Sequence, residues 1–489
     1  MQVEYDVVVI GGGPAGKATA VHAADGGLSV ALVESGLVGG ECPYVGCMPS
    51  KALLRPAQVL AEARRVPGAA EAISGELDVA SALARRDAST YHLDDSSHSA
   101  RVAAHGVTIV RGRGSLIAER TVEIVPSSPR DGEHRGDVGF VVEQPLQLVA
   151  RRAVAVCSGT HAFVPPIDGL DGVRYWTNVE GTLASEVPAS LVVLGGGPIG
   201  CELAQAWRSL GCQSVTLVEQ SPRLLAREEP FASEMLEVEL AAQGIDVRTG
   251  VGATQVERDQ DGQGDAVVML SDGTRVRGAE LLVAVGRSPN TVGLGLELVG
   301  ARVDERGFLP VDDCMRVIGF DWLFAVGDVT GRALFTHTAA YHAQIAGRNM
   351  AGDACESVND LAGAPRVTFT EPQVAAAGMT EQMARDADLD IVVVDRDIDG
   401  LAAASFYGRC ARARARLVFD VDSRRLLGAT FAGPQVAELL HAATIAISAE
   451  LTLDHLRHAV APFPTLSQIW PALTDEAARQ FRALASVSS

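Results

Sequence analysis

The chain opens on a short apolar run, Val7-Val8-Val9-Ile10, that passes straight into Gly11-Gly12-Gly13-Pro14-Ala15-Gly16. An uninterrupted apolar run bounded by glycine reads as a buried strand feeding a tight turn. An alanine-rich helical stretch and a second strand, residues 29–33, complete a strand-helix-strand unit that ends at Glu34. The same pattern returns downstream: strand 191–194, glycines at 195, 197 and 200, a helix, then strand 215–218 ending at Glu219. Between the two units, residues 51–120 read as helical and then strand-rich, and residues 126–139 are polar and turn-prone, as an exposed loop is. Residues 153–156, 281–286 and 323–327 are further apolar strands. From about residue 356 the pattern changes to short strands, 367–369, 415–419 and 427–431, of a partly exposed antiparallel sheet. Helical segments follow at 436–449 and 468–485.

Each glycine set has a chemical reading. Gly11, Gly13 and Gly16 allow a tight turn and let backbone N–H groups at a helix N-terminus approach a pyrophosphate. Glu34, eighteen residues past the third glycine, is placed to bond ribose hydroxyls. Gly195, Gly197, Gly200 and Glu219 repeat that arrangement. Two complete fingerprints predict two dinucleotide sites, which in a redox enzyme means FAD plus a nicotinamide.

At 489 residues the chain predicts about three domains. Its formal charge of −20 argues against nucleic acid or an anionic membrane as partner. No run of 18 apolar residues predicts a membrane span, and the N-terminus has strand-then-turn grammar, not that of a signal peptide. Eight cysteines in such a chain fit a reducing, cytoplasmic setting. Of 41 basic residues only Lys17 and Lys51 are lysine.

Lys51 closes the segment Gly39-Gly40-Glu41-Cys42-Pro43-Tyr44-Val45-Gly46-Cys47-Met48-Pro49-Ser50-Lys51. Residues five apart on a regular helix are separated by about 7.5 Å of rise, whereas a disulfide needs Cα atoms within about 4.4–6.8 Å. A bond between Cys42 and Cys47 therefore requires a distorted turn, for which Pro43, Gly46 and Pro49 are suited. Lys51, one turn past Cys47, is spaced to favour a thiolate. An iron–sulfur ligand set with this spacing would want cysteine where Ser50 stands, and zinc would want two more ligands nearby. No metal site is expected, and a redox dithiol and two inert buried cysteines stand as the two readings. Cys157, Cys201, Cys212, Cys314, Cys355 and Cys410 read as packing residues.

These motifs, with Ser158-Gly159-Thr160, Ala284-Val285-Gly286-Arg287-Ser288-Pro289-Asn290, Val326-Gly327-Asp328 and Phe463-Pro464-Thr465, resemble the flavin-dependent pyridine nucleotide-disulfide oxidoreductases. That group contains dihydrolipoamide dehydrogenase, glutathione reductase and mercuric reductase. The resemblance implies an α/β chain with two Rossmann-like dinucleotide-binding domains and a C-terminal α+β dimerisation domain that makes a homodimer. Its expected limits are 1–160 and 286–355 for a split FAD domain, 161–285 for the NAD(P) domain and 356–489 for the interface domain. It assigns Gly11, Gly13, Pro14, Ala15, Gly16, Glu34, Ser35, Gly40, Glu41, Lys51, Ser158, Gly159, Arg287 and Asp328 to FAD. Gly195, Gly197, Ile199, Gly200, Glu219 and Gly286 go to the nicotinamide. Lys51 and Glu202 would pair beside the flavin, Cys47 would contact the flavin, and Cys42 would exchange with a small-molecule or protein-borne disulfide. Glu219 favours NADH, while Arg223 and Arg227 stand where NADPH would need them.

One departure is specific. The disulfide reductases carry His-Pro-Thr with a glutamate three residues later, and here Phe463 and Gln468 occupy those places. Neither residue transfers a proton, so the acid/base dyad is missing. His455, His458, Tyr44, His337 and Tyr341 are the candidate substitutes. Mercuric reductases also lack the histidine but use a terminal cysteine pair, and this chain ends Ser486-Val487-Ser488-Ser489 with no room for an N-terminal metal-carrying domain, which disfavours mercury. The rival expectation is a quinone, metal-ion or oxygen reductase acting directly from the flavin.

Overall fold

The parallel strands are buried on both faces, which is why the sequence writes them as unbroken apolar runs rather than alternating ones. The structure, a computed structural model, describes residues 2–130, 132–258, 264–352, 358, 363–408 and 412–487. Cys355, Cys410, the 355/356 domain limit and Ser488-Ser489 lie outside the described residues. The chain divides into two compact units.

The first unit holds residues 1–49, 84–163 and 287–359. Its sheet has a parallel centre in the order Leu146–Val156, Gln2–Ile10, Val30–Glu34, Thr108–Arg111, with Leu323–Ala325 also parallel to Leu146–Val156. Val7 pairs with Val30 and Ala153, which fixes the register. Val7 and Val9 face one core with Ala20, Ala23 and Ala343, and Val8 and Ile10 face another with Leu116, Ile124 and Leu323. The helix Pro14–Asp25 leaves the first strand through the glycine turn. Antiparallel pairing of Thr160–Ala162 with Arg287–Pro289 brings together stretches more than a hundred residues apart.

The second unit holds residues 50–83, 164–286 and 360–489. It contains a parallel sheet in the order Ile245–Thr249, Ser214–Glu219, Ser190–Leu194, Glu280–Val283. A three-stranded antiparallel sheet accompanies it. Trp207 on helix Pro198–Ser209 is wholly buried, and its indole N–H donates to the Gly181 carbonyl at 2.9 Å. The C-terminal part is a five-stranded antiparallel sheet whose core side chains include Leu417, Phe419 and Phe431, covered by Leu440–Ser448 and Ile469–Val487. The helix expected over 436–449 opens as a tighter 3-10 turn, Val436–Leu439. No helix among the described residues is long and apolar enough to cross a membrane.

Of the cysteines read as packing residues, Cys157, Cys201 and Cys212 are buried thiols whose pKa values burial pushes up. Cys314 corrects that reading, because it is disulfide-bonded.

Candidate active site

Both fingerprints fold the same way and for the same steric reason. A Cβ on Gly16 would lie 1.7 Å from the Gly11 carbonyl oxygen, and one on Gly200 would lie 1.9 Å from that of Gly195. Each helix therefore starts pressed onto its turn. Gly13 and Gly197 are the N-caps, with Pro14 and Pro198 in the first helical position and no side chain among the described residues capping the free N–H groups. Among the described residues, a Cβ on Gly197 meets nothing within 4 Å, and one on Gly13 meets only the Gly40 Cα at 3.8 Å. Such a floor of uncapped N–H groups under open space fits a pyrophosphate. The Ser158 hydroxyl, buried and without a partner among the described residues, adds a donor fitted to the first site.

The acidic residues are held alike. Glu34 accepts from the N–H groups of Gly12 and Gly36, both at 2.5 Å. Glu219 accepts from Gly196 at 2.5 Å and Ser221 at 2.6 Å. Burial pushes the Glu34 carboxyl up, against the pull of those N–H donors. The Ser35 carbonyl takes bonds from Ser127 and Arg135. Asp328 accepts from the Thr160 hydroxyl at 2.9 Å, and burial raises its pKa too. Arg287 bonds Thr160 and, at 2.6 Å, Glu41. In the second unit, Ile199 packs against the core below the helix start. Gly286 follows the strand Glu280–Val283, and its φ of 154° is outside ordinary side-chain territory. Arg223 spends its guanidinium on the Leu225, Ala226 and Glu228 carbonyls and the Ser233 hydroxyl, whereas Arg227 is exposed.

The cysteine segment is broken where the spacing requires. Cys42 lies in the short helix Glu41–Tyr44, Val45 leaves helical geometry at φ −135°, and Cys47 starts the helix Cys47–Arg65. A Cβ on Gly46 would sit 3.1 Å from the Glu41 carbonyl oxygen and 3.3 Å from the Cys42 Cα, so the chain folds back onto Cys42 there. Both cysteines are thiols, Cys47 exposed and Cys42 partly so. Cys47 Sγ lies 3.6 Å from Thr336 Oγ1. The segment is anchored upstream by Asp95, which is fully buried, pairs with Arg111 and accepts from the Val38 N–H at 2.7 Å.

Lys51 Nζ bonds Glu202 Oε2 at 2.6 Å and lies 5.0 Å from the centre of the Phe369 ring. Glu202 Oε1 accepts the Phe369 N–H at 2.9 Å, so both carboxylate oxygens are engaged.

The candidate substitute bases fare differently. Tyr44 is buried, donates its hydroxyl to the Val38 carbonyl at 3.0 Å, and has its pKa pushed up by burial. His455 Nδ1 is engaged at 2.9 Å with the Thr452 hydroxyl at the start of its own short helix. His337 is exposed and stacks on Phe335 at 5.3 Å, Tyr341 lies against His342, and His458 is exposed. Phe463 is 73% exposed. Sequence reasoning missed Thr336, Phe369, Asp95 and a cluster in which Lys17 Nζ lies 2.9 Å from His98 Nδ1. The scarcity of lysine was the only sign of that cluster.

The chain is similar to known proteins over most of its length. A family model described as pyridine nucleotide-disulphide oxidoreductase matches residues 5–343, and one for that family's dimerisation domain matches residues 364–473. The mercuric reductase of Streptomyces lividans is 33% identical over 467 residues, 95% of this chain and 94% of that one. The dihydrolipoyl dehydrogenase of Thermus scotoductus is 32% identical over 468 residues, 95% of each chain. Among solved structures, the HOCl-induced flavoprotein disulfide reductase RclA from Escherichia coli superimposes with a TM-score of 0.80 at 26% identity, covering 96% of this chain and 99% of that one.

Proposed function

The chain belongs to the pyridine nucleotide-disulphide oxidoreductases, FAD-dependent enzymes that use NAD(P)H, and from that premise we propose that it passes electrons from NADH through Cys42 and Cys47 to a disulfide. The observation that carries this reading is the fold-back at Gly46, which returns Cys47 toward the helix of Cys42 with both residues as thiols. The bound flavin supplies the step between hydride from the nicotinamide and electrons for the dithiol.

The chain's own residues do the rest. The N–H floors at Gly13 and Gly197 bind the two pyrophosphates, and Glu34 and Glu219 hold ribose hydroxyls. Asp328, Thr160, Arg287 and Glu41 form one polar chain on the flavin side, and Cys42 serves as the exchange thiol. NADH is preferred over NADPH because Glu219 repels a 2′-phosphate and Arg223 is already committed to its own loop. The domain limits read from the sequence, a homodimer built on the dimerisation domain, and a cytoplasmic location belong to this proposal.

A second reading is direct reduction of a metal ion, quinone or oxygen from the flavin. Phe463 in place of an acid/base residue favours it, as do relatives described as mercuric reductases and a solved structure described as a Cu(II) complex of RclA. NADH turnover on a panel of disulfides, quinones and metal ions, wild type beside Cys42→Ser, separates the two. Disulfide reduction is expected to disappear in Cys42→Ser while NADH still bleaches the flavin. Full disulfide turnover in that variant would sink the dithiol route.

A further inference from the structure

We propose that Lys17 is the acid/base group of the exchange thiol Cys42, taking the task that Phe463 cannot perform. This rests on the dithiol reading above. Lys17 stands in the first turn of the helix Pro14–Asp25, its N–H bonded to the Gly13 carbonyl at 2.9 Å. The cysteine segment is clamped to that same turn. A Cβ on Gly40 would lie 2.7 Å from the Gly13 Cα and 3.4 Å from Pro14 Cδ. On the other side of Cys42, the Tyr44 ring sets its edge against His98 at 5.8 Å. His98 Nδ1 is 2.9 Å from Lys17 Nζ. Contacts on the two flanks of Cys42 thus reach the helix turn that carries Lys17 and the ring of His98.

His98 itself is not the base. Lys17 and Arg101, at 2.9 and 3.0 Å, both aim N–H groups at Nδ1, so that nitrogen accepts and the hydrogen resides on Nε2. The ring stays neutral, its pKa lowered to about 4 by burial and by Lys17 and Arg101. It acts as a rest for the lysine.

The lysine is the group that titrates. Burial and the Arg101 charge lower its pKa to about 8, while the charge of Cys42 pulls it back up. A general acid or base works best with a pKa near the working pH. The other ionisable groups around it are His22 on its own helix, and His105, which is paired with Asp25 at 2.8 Å. Tyr91, its ring 5.3 Å from that of His98, and Asp95 act on His98. An open groove of about 460 Å³, lined by Lys17, His98, Arg101, His22 and Val21, borders the amine.

The step balances without further reagents. The neutral Lys17 amine takes the Cys42 proton, and the thiolate attacks one sulfur of the acceptor disulfide. A Cys42–acceptor disulfide forms, the acceptor S–S bond breaks, and the Lys17 ammonium protonates the thiolate that leaves. The Cys47 thiolate then attacks Cys42, closing the Cys42–Cys47 disulfide and releasing the second acceptor thiolate, which receives the former Cys47 proton through solvent. The enzyme dithiol loses two electrons and the acceptor gains them.

The test uses the FAD-loaded enzyme with Lys17, Lys17→Met or Lys17→Arg. Alkylation of Cys42 by iodoacetamide is followed against pH in a Cys47→Ser background, and NADH-driven disulfide turnover against pH in the Cys47 enzyme. Lys17→Met is expected to slow alkylation at pH 7 roughly tenfold, the effect of a one-unit rise in thiol pKa. Lys17→Arg keeps the charge and should alkylate normally, yet its disulfide turnover should fall roughly 10²-fold for want of a transferable proton. Bleaching of the flavin by NADH in each Cys47 variant certifies fold and cofactors. Unchanged alkylation in Lys17→Met, or wild-type turnover through pH 8 in Lys17→Arg, would overturn the proposal. Alkylation reads the Lys17–Cys42 coupling even if Cys42→Ser were to remain fully active, so the two readings fail separately.

Discussion

Glu202 is a carboxylate with 3% exposure, stabilised from three directions by Lys51, Ser50 and the Phe369 N–H. Removing one partner of a buried pair leaves an uncompensated charge, at a cost of about 3–5 kcal/mol. Lys51 is one-third exposed, so the lower end applies. Lys51→Met should therefore lower the melting temperature clearly, and Lys51→Met with Glu202→Gln should recover part of the loss. Thermal unfolding of the apoprotein checks this, and a double variant as unstable as the single one would remove the ion pair from the account. At this scale the sequence was half legible. Lys51 stood out by its rarity and the Lys51–Glu202 pairing by resemblance. Phe369, 167 residues from Glu202, contributes through a backbone N–H, and no residue identity announces that. Lys17 showed as an oddity of composition, and only the fold gave it His98 for a neighbour.

The turn-helix elements were the most legible part of the chain, because their chemistry is backbone chemistry and only glycine satisfies it. Three substitutions separate structure from binding. Gly16→Ala and Gly200→Ala place a Cβ inside the carbonyl of Gly11 or Gly195, and each should disrupt its own turn. The first is expected to be purified colourless, without flavin. The second should stay yellow but fail to be bleached by NADH. Gly197→Ala meets no atom of the described residues within 4 Å, so it should fold and keep flavin while the NADH dissociation constant rises. Unaltered NADH affinity there would mean that the second cradle is not the nicotinamide site. Boundaries were less legible. The first strand runs back to Gln2 because Gln2–Tyr5 pair with residues 147–150, a long-range ladder that polar residues do not betray. The strand expected to reach 286 stops at Val283, after which Ala284 bonds the Leu194 carbonyl and supplies the oxygen beneath Gly195.

For the whole molecule, the segment matched to the dimerisation domain presents two apolar side chains to solvent. Val460 is 94% and Phe463 73% exposed, within the segment matched to that domain. Val460→Asp with Phe463→Asp is expected to shift sedimentation from two copies toward one while each copy keeps its flavin. Unchanged sedimentation would place the contact elsewhere on the domain. The domain's antiparallel sheet was legible from its short strands, but its packing partners were not, since apolar residues say that they will be covered and not by what. The arginine bias carries one more consequence. A reagent that acylates amines finds only Lys17, Lys51 and the N-terminus on the chain. Lys51 is held by Glu202, whereas Lys17, with its lowered basicity, borders an open groove. The fold has thereby set out a nearly single-address chemical handle at the Lys17–His98 groove, where one added mass tag reports whether that groove is open or filled.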